Sequence, residues 1–558
     1  MAENIKELNV AYFSMEIALE NDIKTYSGGL GVLAGDILKS AADLRIEMAG
    51  VTLLSREGYF KQQLNEFGKQ VELVDSDYDF SKLQKLTNEI EITIGNDKVK
   101  VGVWLYLIKG KNEFTVPVYL LDTDIIGNSD EYRSLTNRLY GGDKETRLLQ
   151  EIILGRAGVR ILKDLGYVIK KFHINEGHGS FVMIEHFLNS DKPEIQDKIN
   201  EVREKCIFTT HTPIRMGHDV FPLSLVLKYQ EDFPSQLPGL IENESLNMTK
   251  LALYFSKFIN GVALSHSKTS SQMFPNYLIN TVTNGVHSIT WTSPEFQKLY
   301  DKHIPNWRNS SLSLRNVFIV PLEEIWLAHQ EAKRVLLEFV QREKKIKLEP
   351  DIFTIGLARR FTPYKRLTLL FSDMERLVKI NKEIGKIQII CAGKAHPKDE
   401  AGKELIKEIY QFQKKYQKEI KIVFLENYNM DLAKLLVSGV DLWLNTPLPP
   451  NEASGTSGMK AAHNGVPQLS TWDGWWREGY IRSKTGWSIR GDEIDEKAGD
   501  INFRDALSLY RLLEQEILPR YYHSPDNWRE IMRFTIGVNA SFFNTERVLS
   551  QYIQEAYL

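Results

Sequence analysis

Val440-Asp-Leu-Trp-Leu-Asn445, followed by Asn451-Glu-Ala-Ser-Gly-Thr-Ser-Gly-Met-Lys460, is the stretch whose reading decides the fold. The first run is apolar and strand-like, and Pro447, Pro449 and Pro450 break it. Met459 to Asn464 reads as a helix that stops at Gly465, with Pro467 beyond. A buried strand, a Gly-rich loop and a helix in that order form a βα step, and open α/β sheets bind ligands at that strand end. Lys460 therefore sits near the first turn of a helix at a ligand-binding position. It is either a solvated surface lysine or a lysine that gives up its charge and acts as an amine nucleophile toward a carbonyl.

The same alternation extends outward along the chain. Val10-Ala-Tyr-Phe-Ser precedes a helical pattern over 33–44, and Lys171-Phe-His-Ile precedes one over 179–188. Ile352 to Ala358 precedes 364–377, Ile387 to Ala392 precedes 400–416, and Ile420 to Leu425 precedes 430–437. Repeated βα steps predict mostly parallel sheets wound with helices. A polar helical stretch over 322–347 separates the clean run of units from the N-terminal part. The domains predicted are 1–345, with a β-rich insertion at about 56–120, and 346–525. A helical segment, 526–558, returns to pack on the first domain.

The chain has 558 residues, enough for several domains. Its net charge of −3 provides no electrostatic case for nucleic acid or an anionic membrane. Only two cysteines occur, Cys206 and Cys391, both in apolar runs, so buried free thiols in a reducing compartment are expected. No metal-ligand spacing exists, so no metal is predicted. The N-terminus is too charged for a secretory signal and no apolar run reaches membrane-spanning length, so the cytoplasm is expected.

Several motifs carry chemistry. Ser27-Gly-Gly-Leu-Gly31 precedes a helix; it is either a tight strand–helix turn or a loop whose amides meet an anion. Arg359-Arg-Phe-Thr-Pro-Tyr-Lys-Arg366 places four cations in eight residues, at what reads as the start of a helix. That is either a solvated basic turn or an anion site. His178 and His211 follow strand-like runs and read as core or turn histidines when taken alone. Asn284 in Thr283-Asn-Gly-Val reads as an Asn-Gly turn.

Together these motifs, in this order over about residues 10–490, resemble the α-glucan (glycogen, starch or maltodextrin) phosphorylases, glycosyltransferase family 35. The resemblance implies an α/β fold of GT-B type, with two Rossmann-like doubly wound domains facing across a cleft. It implies that Lys460 carries pyridoxal 5'-phosphate, with Thr456, Gly28, Gly29, Arg359, Trp291 and Tyr428 around the cofactor. Arg360 and Lys365 take the positions that bind inorganic phosphate. Leu30, Asn284, Glu452, Ser454 and Gly455 take those that hold the sugar, and His211 lies near the sugar O6. His178 also matches a family histidine. The chain departs from the longer family members at Ser457-Gly458, where they carry Gly-Asn. Thr362-Pro363 stands where they carry His-Glu, and Arg359 where they carry a lysine.

The activity so implied is reversible phosphorolysis of terminal α-1,4-glucosyl units of a glucan to α-D-glucose 1-phosphate with retention of configuration. A homodimer is expected by the same resemblance. A nucleotide-sugar-dependent, glycogen or starch synthase-like glucosyltransferase is the alternative. It shares the fold, the glycine loop and the glutamate but has no need of Lys460. A third possibility, a non-catalytic glucan-binding protein, does not explain why Lys460, Arg360, Lys365 and His211 occur together.

Overall fold

The computed structural model describes residues 6–75, 78–214, 217–490 and 500–558. Among these, two compact units appear. One comprises the chain up to Phe60, Val74–Thr283 and Val548–Leu558; the other comprises Lys61–Leu73 and Asn284–Arg547.

The first unit is built on β1 (Lys6–Phe13), β2 (Met48–Leu53), β3 (Gln84–Ile94), β4 (Asp97–Lys109), β5 (Thr115–Asp122), β6 (Tyr167–Asn175), β7 (Cys206–Thr209), β8 (Phe258–Gly261) and β9 (Asn280–Thr281). They form one sheet in the order β9-β8-β7-β6-β1-β2-β5-β4-β3. All strands from β9 to β5 in that order run parallel, while β4 and β3 are added antiparallel at one edge. Residue patterns explain the difference. Every residue of β2 is buried, as in a parallel strand covered on both faces. Strand β3 largely alternates exposed with half-buried residues, as in a strand with one face in water.

In the second unit, β10 (Phe353–Ala358), β11 (Ile387–Ala392), β12 (Lys421–Leu425), β13 (Leu442–Asn445), β14 (Gln468–Thr471) and β15 (Gly486–Ile489) form an all-parallel sheet ordered β12-β11-β10-β13-β14-β15. Strands β10 and β11 are buried at every position. Winding direction reverses between β10 and β13 here, and between β1 and β6 in the first unit. Such switch points open a crevice at the carboxyl ends of the two central strands.

Four helices position the candidate site and the core behind it: α1 (Gly29–Asp43), α2 (Leu322–Lys344), α3 (Met430–Gly439) and α4 (Ser457–Ala462). The boundary between units falls at Thr283/Asn284 rather than near residue 345. The reason is that α2 belongs to the second unit's core. Its buried residues, Ile325, His329, Ala332, Lys333, Leu336, Leu337 and Val340, recur at helical spacing. A side chain at Gly439 of α3 would meet Leu336 Cβ at 2.6 Å, so only glycine permits that approach.

The β-rich region divides likewise. The hairpin Lys61–Leu64/Gln70–Leu73 is tied to the second unit by Gln62 Nε2 donating to Gly393 O at 2.8 Å and Gln70 Nε2 donating to Ala395 O at 2.9 Å. At the C-terminus, residues 525–547 belong to the second unit and only Val548–Leu558 to the first. There Tyr552 OH meets Thr209 Oγ1 at 3.0 Å, and Tyr557 OH meets His173 Nδ1 at 2.7 Å.

One predicted element is absent. Residues 364–377 do not form a helix; Pro363–Lys365 is a single 3-10 turn, and the α-helix begins at Met374, capped by Asp373. Arg366 adopts φ +46°, which breaks any helix there. Both cysteines are free and buried. Among the described residues, no helix is long and apolar enough to cross a membrane.

Candidate active site

The glycine loop follows β1 at the first unit's switch point and runs into α1. Its conformation is set by Glu16, which sequence reading missed. Glu16 Oε2 accepts from the Ser27 amide at 2.6 Å and the Gly28 amide at 3.2 Å, and Oε1 accepts from Tyr140 OH at 2.9 Å. Burial pushes this carboxyl upward, and those hydrogen bonds oppose the shift. The Gly28 amide thus donates within the protein. Gly29 and Leu30 lie in the first turn of α1, where amides have no acceptor inside the helix. A Cβ at Gly28 or Gly29 would meet nothing within 4 Å, whereas one at Gly35 would strike Ala18 O at 2.0 Å. Packing therefore demands Gly35 but not Gly28 or Gly29, which fits a loop kept bare for a ligand's approach.

Across the same switch point, β6 ends at Asn175 and leads into Glu176. Glu176 adopts φ +76°, strained for a residue with a side chain. Its Oε2 accepts from the His211 amide at 2.8 Å and from Thr212 Oγ1 at 2.9 Å, so it pins the loop after β7. His211 Nε2 lies 2.7 Å from Asn175 Oδ1. An amide oxygen only accepts, so the proton is on Nε2 and Nδ1 is an acceptor. Burial, with His266, His178 and His173 nearby, holds His211 well below the usual histidine range, so the ring is neutral. Nearby, His178 is 2% exposed, its Nε2 finds no hydrogen-bond partner among the described residues, and burial takes it down to about 3. Glu16 sits in no motif, and Glu176 lies in Asn175-Glu-Gly-His178, where the histidine drew the attention.

In the second unit, the basic run leaves β10 and the decapeptide follows β13, so the switch point brings them together. Glu452 joins them: its Oε2 accepts from Lys365 Nζ at 2.5 Å and from Arg359 Nη2 at 3.3 Å. Burial pushes the Glu452 carboxyl up, but Lys365, Arg359 and Arg360 outweigh it and hold it below the carboxylate range. Arg359 Nη1 and Ser454 Oγ are buried without a hydrogen-bond partner among the described residues. Arg360 is exposed. The fourth cation is structural: Arg366 donates to Thr446 O and Pro447 O at 2.9 Å and to Asp505 at 2.6 Å, fixing the proline-rich loop.

Asp473, also missed, braces the decapeptide by accepting from the Glu452 amide and the Gly474 amide, each at 2.9 Å. Burial lifts it to about 6, the Glu452 charge adding to the rise. Gly455 sits at φ +79° and Gly474 at φ +54°, and a side chain at Gly474 would strike Ser454 O at 2.3 Å.

Lys460 lies on α4 and is 7% exposed; its Nζ stands 4.0 Å from the Trp291 ring centroid. Trp291 is 1% exposed. Asn284, Trp291, Tyr428 and Thr456 all belong to this unit. Asn284 O accepts from Arg547 at 3.1 Å, and Val286 pairs with Asn544, so the Asn284 segment is held by residues 542–547. Tyr428 follows β12, and Thr456 immediately precedes α4. The Ser457-Gly458 departure has a local reason. Ser457 Oγ accepts from Trp443 Nε1 at 3.0 Å, and a Cβ at Gly458 would overlap Gln468 Oε1 at 1.4 Å. Trp475 and Trp476 are 1% exposed and belong to the core.

The family model for carbohydrate phosphorylases matches residues 228–478. Among curated relatives, the maltodextrin phosphorylase of Thermococcus litoralis is 38% identical over 98% of this chain and 70% of its own length. The glycogen phosphorylase of Aquifex aeolicus is 36% identical over 98% of this chain and 86% of its own. That of Mycobacterium tuberculosis is 36% identical over 98% and 70%.

Proposed function

Since this chain belongs to the carbohydrate phosphorylase family, we propose that it transfers the terminal α-1,4-linked glucosyl unit of a glucan reversibly to inorganic phosphate. The product is α-D-glucose 1-phosphate with retained configuration. The observation that carries this reading is Lys460, nearly buried against Trp291 in the same unit as the cations converging on Glu452. The donor set fits pyridoxal 5'-phosphate: one shielded amine, an aromatic face beside it, and a buried guanidinium nitrogen and hydroxyl with hydrogen bonds still to make.

Lys460 would hold the cofactor, with Thr456, Arg359, Trp291, Tyr428 and the bare glycine loop at Gly28 and Gly29 around it. When bound, pyridoxal phosphate supplies a phosphate group that can lend a proton to the substrate phosphate and recover it. Arg360 and Lys365 bind the substrate phosphate. Two anions side by side repel unless cations surround them, which is the use of this run. For Lys365 to serve phosphate, Glu452 must release it; a sugar hydroxyl replaces the ammonium on the carboxylate as phosphate replaces the carboxylate on the ammonium. Ser454 Oγ, Gly455 and Asn284 hold further hydroxyls, and the Leu30 amide faces the sugar. His211, neutral and protonated on Nε2, presents Nδ1 as an acceptor for a sugar hydroxyl. The substrate phosphate then protonates the glycosidic oxygen and attacks the sugar carbon from the face the leaving group vacates. This differs from glycosidases, where two protein carboxylates divide the acid and nucleophile roles.

With this activity we propose the GT-B arrangement, a homodimer and a cytoplasmic location. The test is an absorbance spectrum of the purified protein together with an assay of glucose 1-phosphate from maltoheptaose and phosphate. A pyridoxal band and phosphate-dependent product are expected, and Lys460→Ala should lose both. An active Lys460→Ala protein free of cofactor would refute the assignment.

A further inference from the structure

Two buried side chains after Lys460 tie the lysine helix to the segment that carries Trp291. Asn464, fully buried, donates from Nδ2 to Trp291 O at 2.8 Å and to Lys460 O at 3.1 Å, and its Oδ1 accepts from the Ser293 amide at 2.7 Å. One amide thus bonds the main chain of both members of the Lys460–Trp291 pair, although Trp291 lies 173 residues away from Asn464. Beside it, His463 Nδ1 donates to Met459 O at 2.8 Å, which leaves Nε2 to accept from Ser288 Oγ at 2.9 Å. Tyr300 OH donates to His463 O at 2.7 Å. Burial keeps this imidazole neutral, down to about 4, so the tautomer is set by its two partners. An ordinary helix-ending asparagine would bond only within its own helix. Here two of the three bonds of Asn464 reach the other segment.

We propose that Asn464, assisted by His463, is a positioning residue that holds the Trp291 indole over Lys460 and so keeps the Lys460 amine aligned and shielded for the cofactor. This rests on the reading of Lys460 as the cofactor lysine. An asparagine is required by the donor pattern: aspartate would set negative oxygen against two carbonyls, and alanine would leave buried carbonyls and an amide unpaired.

The test uses the full-length protein stripped of cofactor. Wild type, Asn464→Ala and Ser288→Ala are treated with acetic anhydride, and acetylation of Lys460 is followed by peptide mass spectrometry against exposed Lys418. Release of pyridoxal phosphate from the loaded proteins is followed by absorbance. In Asn464→Ala, which loses three side-chain hydrogen bonds, Lys460 labelling and cofactor release should each rise by roughly tenfold or more, and in Ser288→Ala, which loses one, by a smaller factor of about fivefold. Lys418 labelling should not change. Unchanged Lys460 labelling and unchanged release in folded Asn464→Ala would overturn the proposal; if that variant does not fold, the same comparison in Ser288→Ala decides. Wild-type protein that takes up no pyridoxal phosphate would defeat the cofactor reading instead, and the labelling comparison would still report on the clamp.

Discussion

The carboxylate of Glu452 lies 2.5 Å from the ammonium of Lys365, with side chains only 8% and 11% exposed. The pair spans the second unit's switch point, joining the loop after β13 to the loop after β10. Arg359 shares the same oxygen at 3.3 Å. The two residues expected to hold sugar and phosphate therefore hold each other, and substrates would have to exchange places with them.

Glu452→Gln should strip two largely shielded cations of their counter-charge. Breaking such a pair from one side costs about 3–5 kcal/mol. We expect a lowered unfolding temperature that added phosphate restores more strongly than in wild type, read by thermal denaturation with and without phosphate. Equal phosphate stabilisation of both proteins would argue against an anion site at Lys365 and Arg359.

Arg360→Ala should raise the phosphate KM by roughly ten- to a hundredfold, the loss expected for a charge-assisted hydrogen bond of about 1.5–3 kcal/mol. Arg360 is exposed, so folding should be unaffected. Phosphate kinetics with maltoheptaose held constant would check this, and a wild-type phosphate KM would displace the proposed phosphate site.

Asp473 sets a pH dependence. Its ordinary value of 3.8 rises to about 6 in the folded protein. A raised carboxyl contributes stability that is fully present below 3.8 and is lost as pH climbs through about 6. The gap between the two values is worth about 3 kcal/mol, at roughly 1.4 kcal/mol for each pH unit. Asp473→Asn should abolish this decline between about pH 4 and 7, at the cost of one of the two amide bonds. Denaturant titrations across that range decide; parallel curves for both proteins would contradict it.

Lys333→Met should be strongly destabilising. Lys333 Nζ lies 2.6 Å from Asp441 Oδ2, both fully buried, and His329 holds the other oxygen at 2.9 Å. Burial pushes Asp441 up, but Lys333 and His329 outweigh it and keep it below its ordinary value. That contribution exists at neutral pH and is lost as pH falls. Removing the ammonium should cost about 3–5 kcal/mol at neutral pH and less in acid, where the carboxyl protonates. Unfolding measured at both pH values would show the narrowing.

Much of this protein is legible in its sequence because the signals are local. Largely apolar runs such as Phe353–Ala358 and Ile387–Ala392 announce buried parallel strands, and Gly465 follows the end of α4. The resemblance to the phosphorylases pointed to Lys460, Arg359, Lys365 and Glu452, and the last three lie together in the structure. Where the reading failed, the cause was not local: the helical pattern over 364–377 was overridden at Arg366, which adopts φ +46° and bonds a loop 80 residues on.

What only the tertiary structure decided are pairings between distant residues. Glu16 occupies the Gly28 amide, Glu176 fixes the His211 loop, and Gln62 draws its hairpin into the second unit through Asn427, 365 residues away. Asn464 reaches Trp291 in the same way. Periodicity and composition report which face of an element is buried. They do not report which partner satisfies a buried polar group, because that partner is chosen by sheet order and strand register, and these are settled only when the whole unit packs.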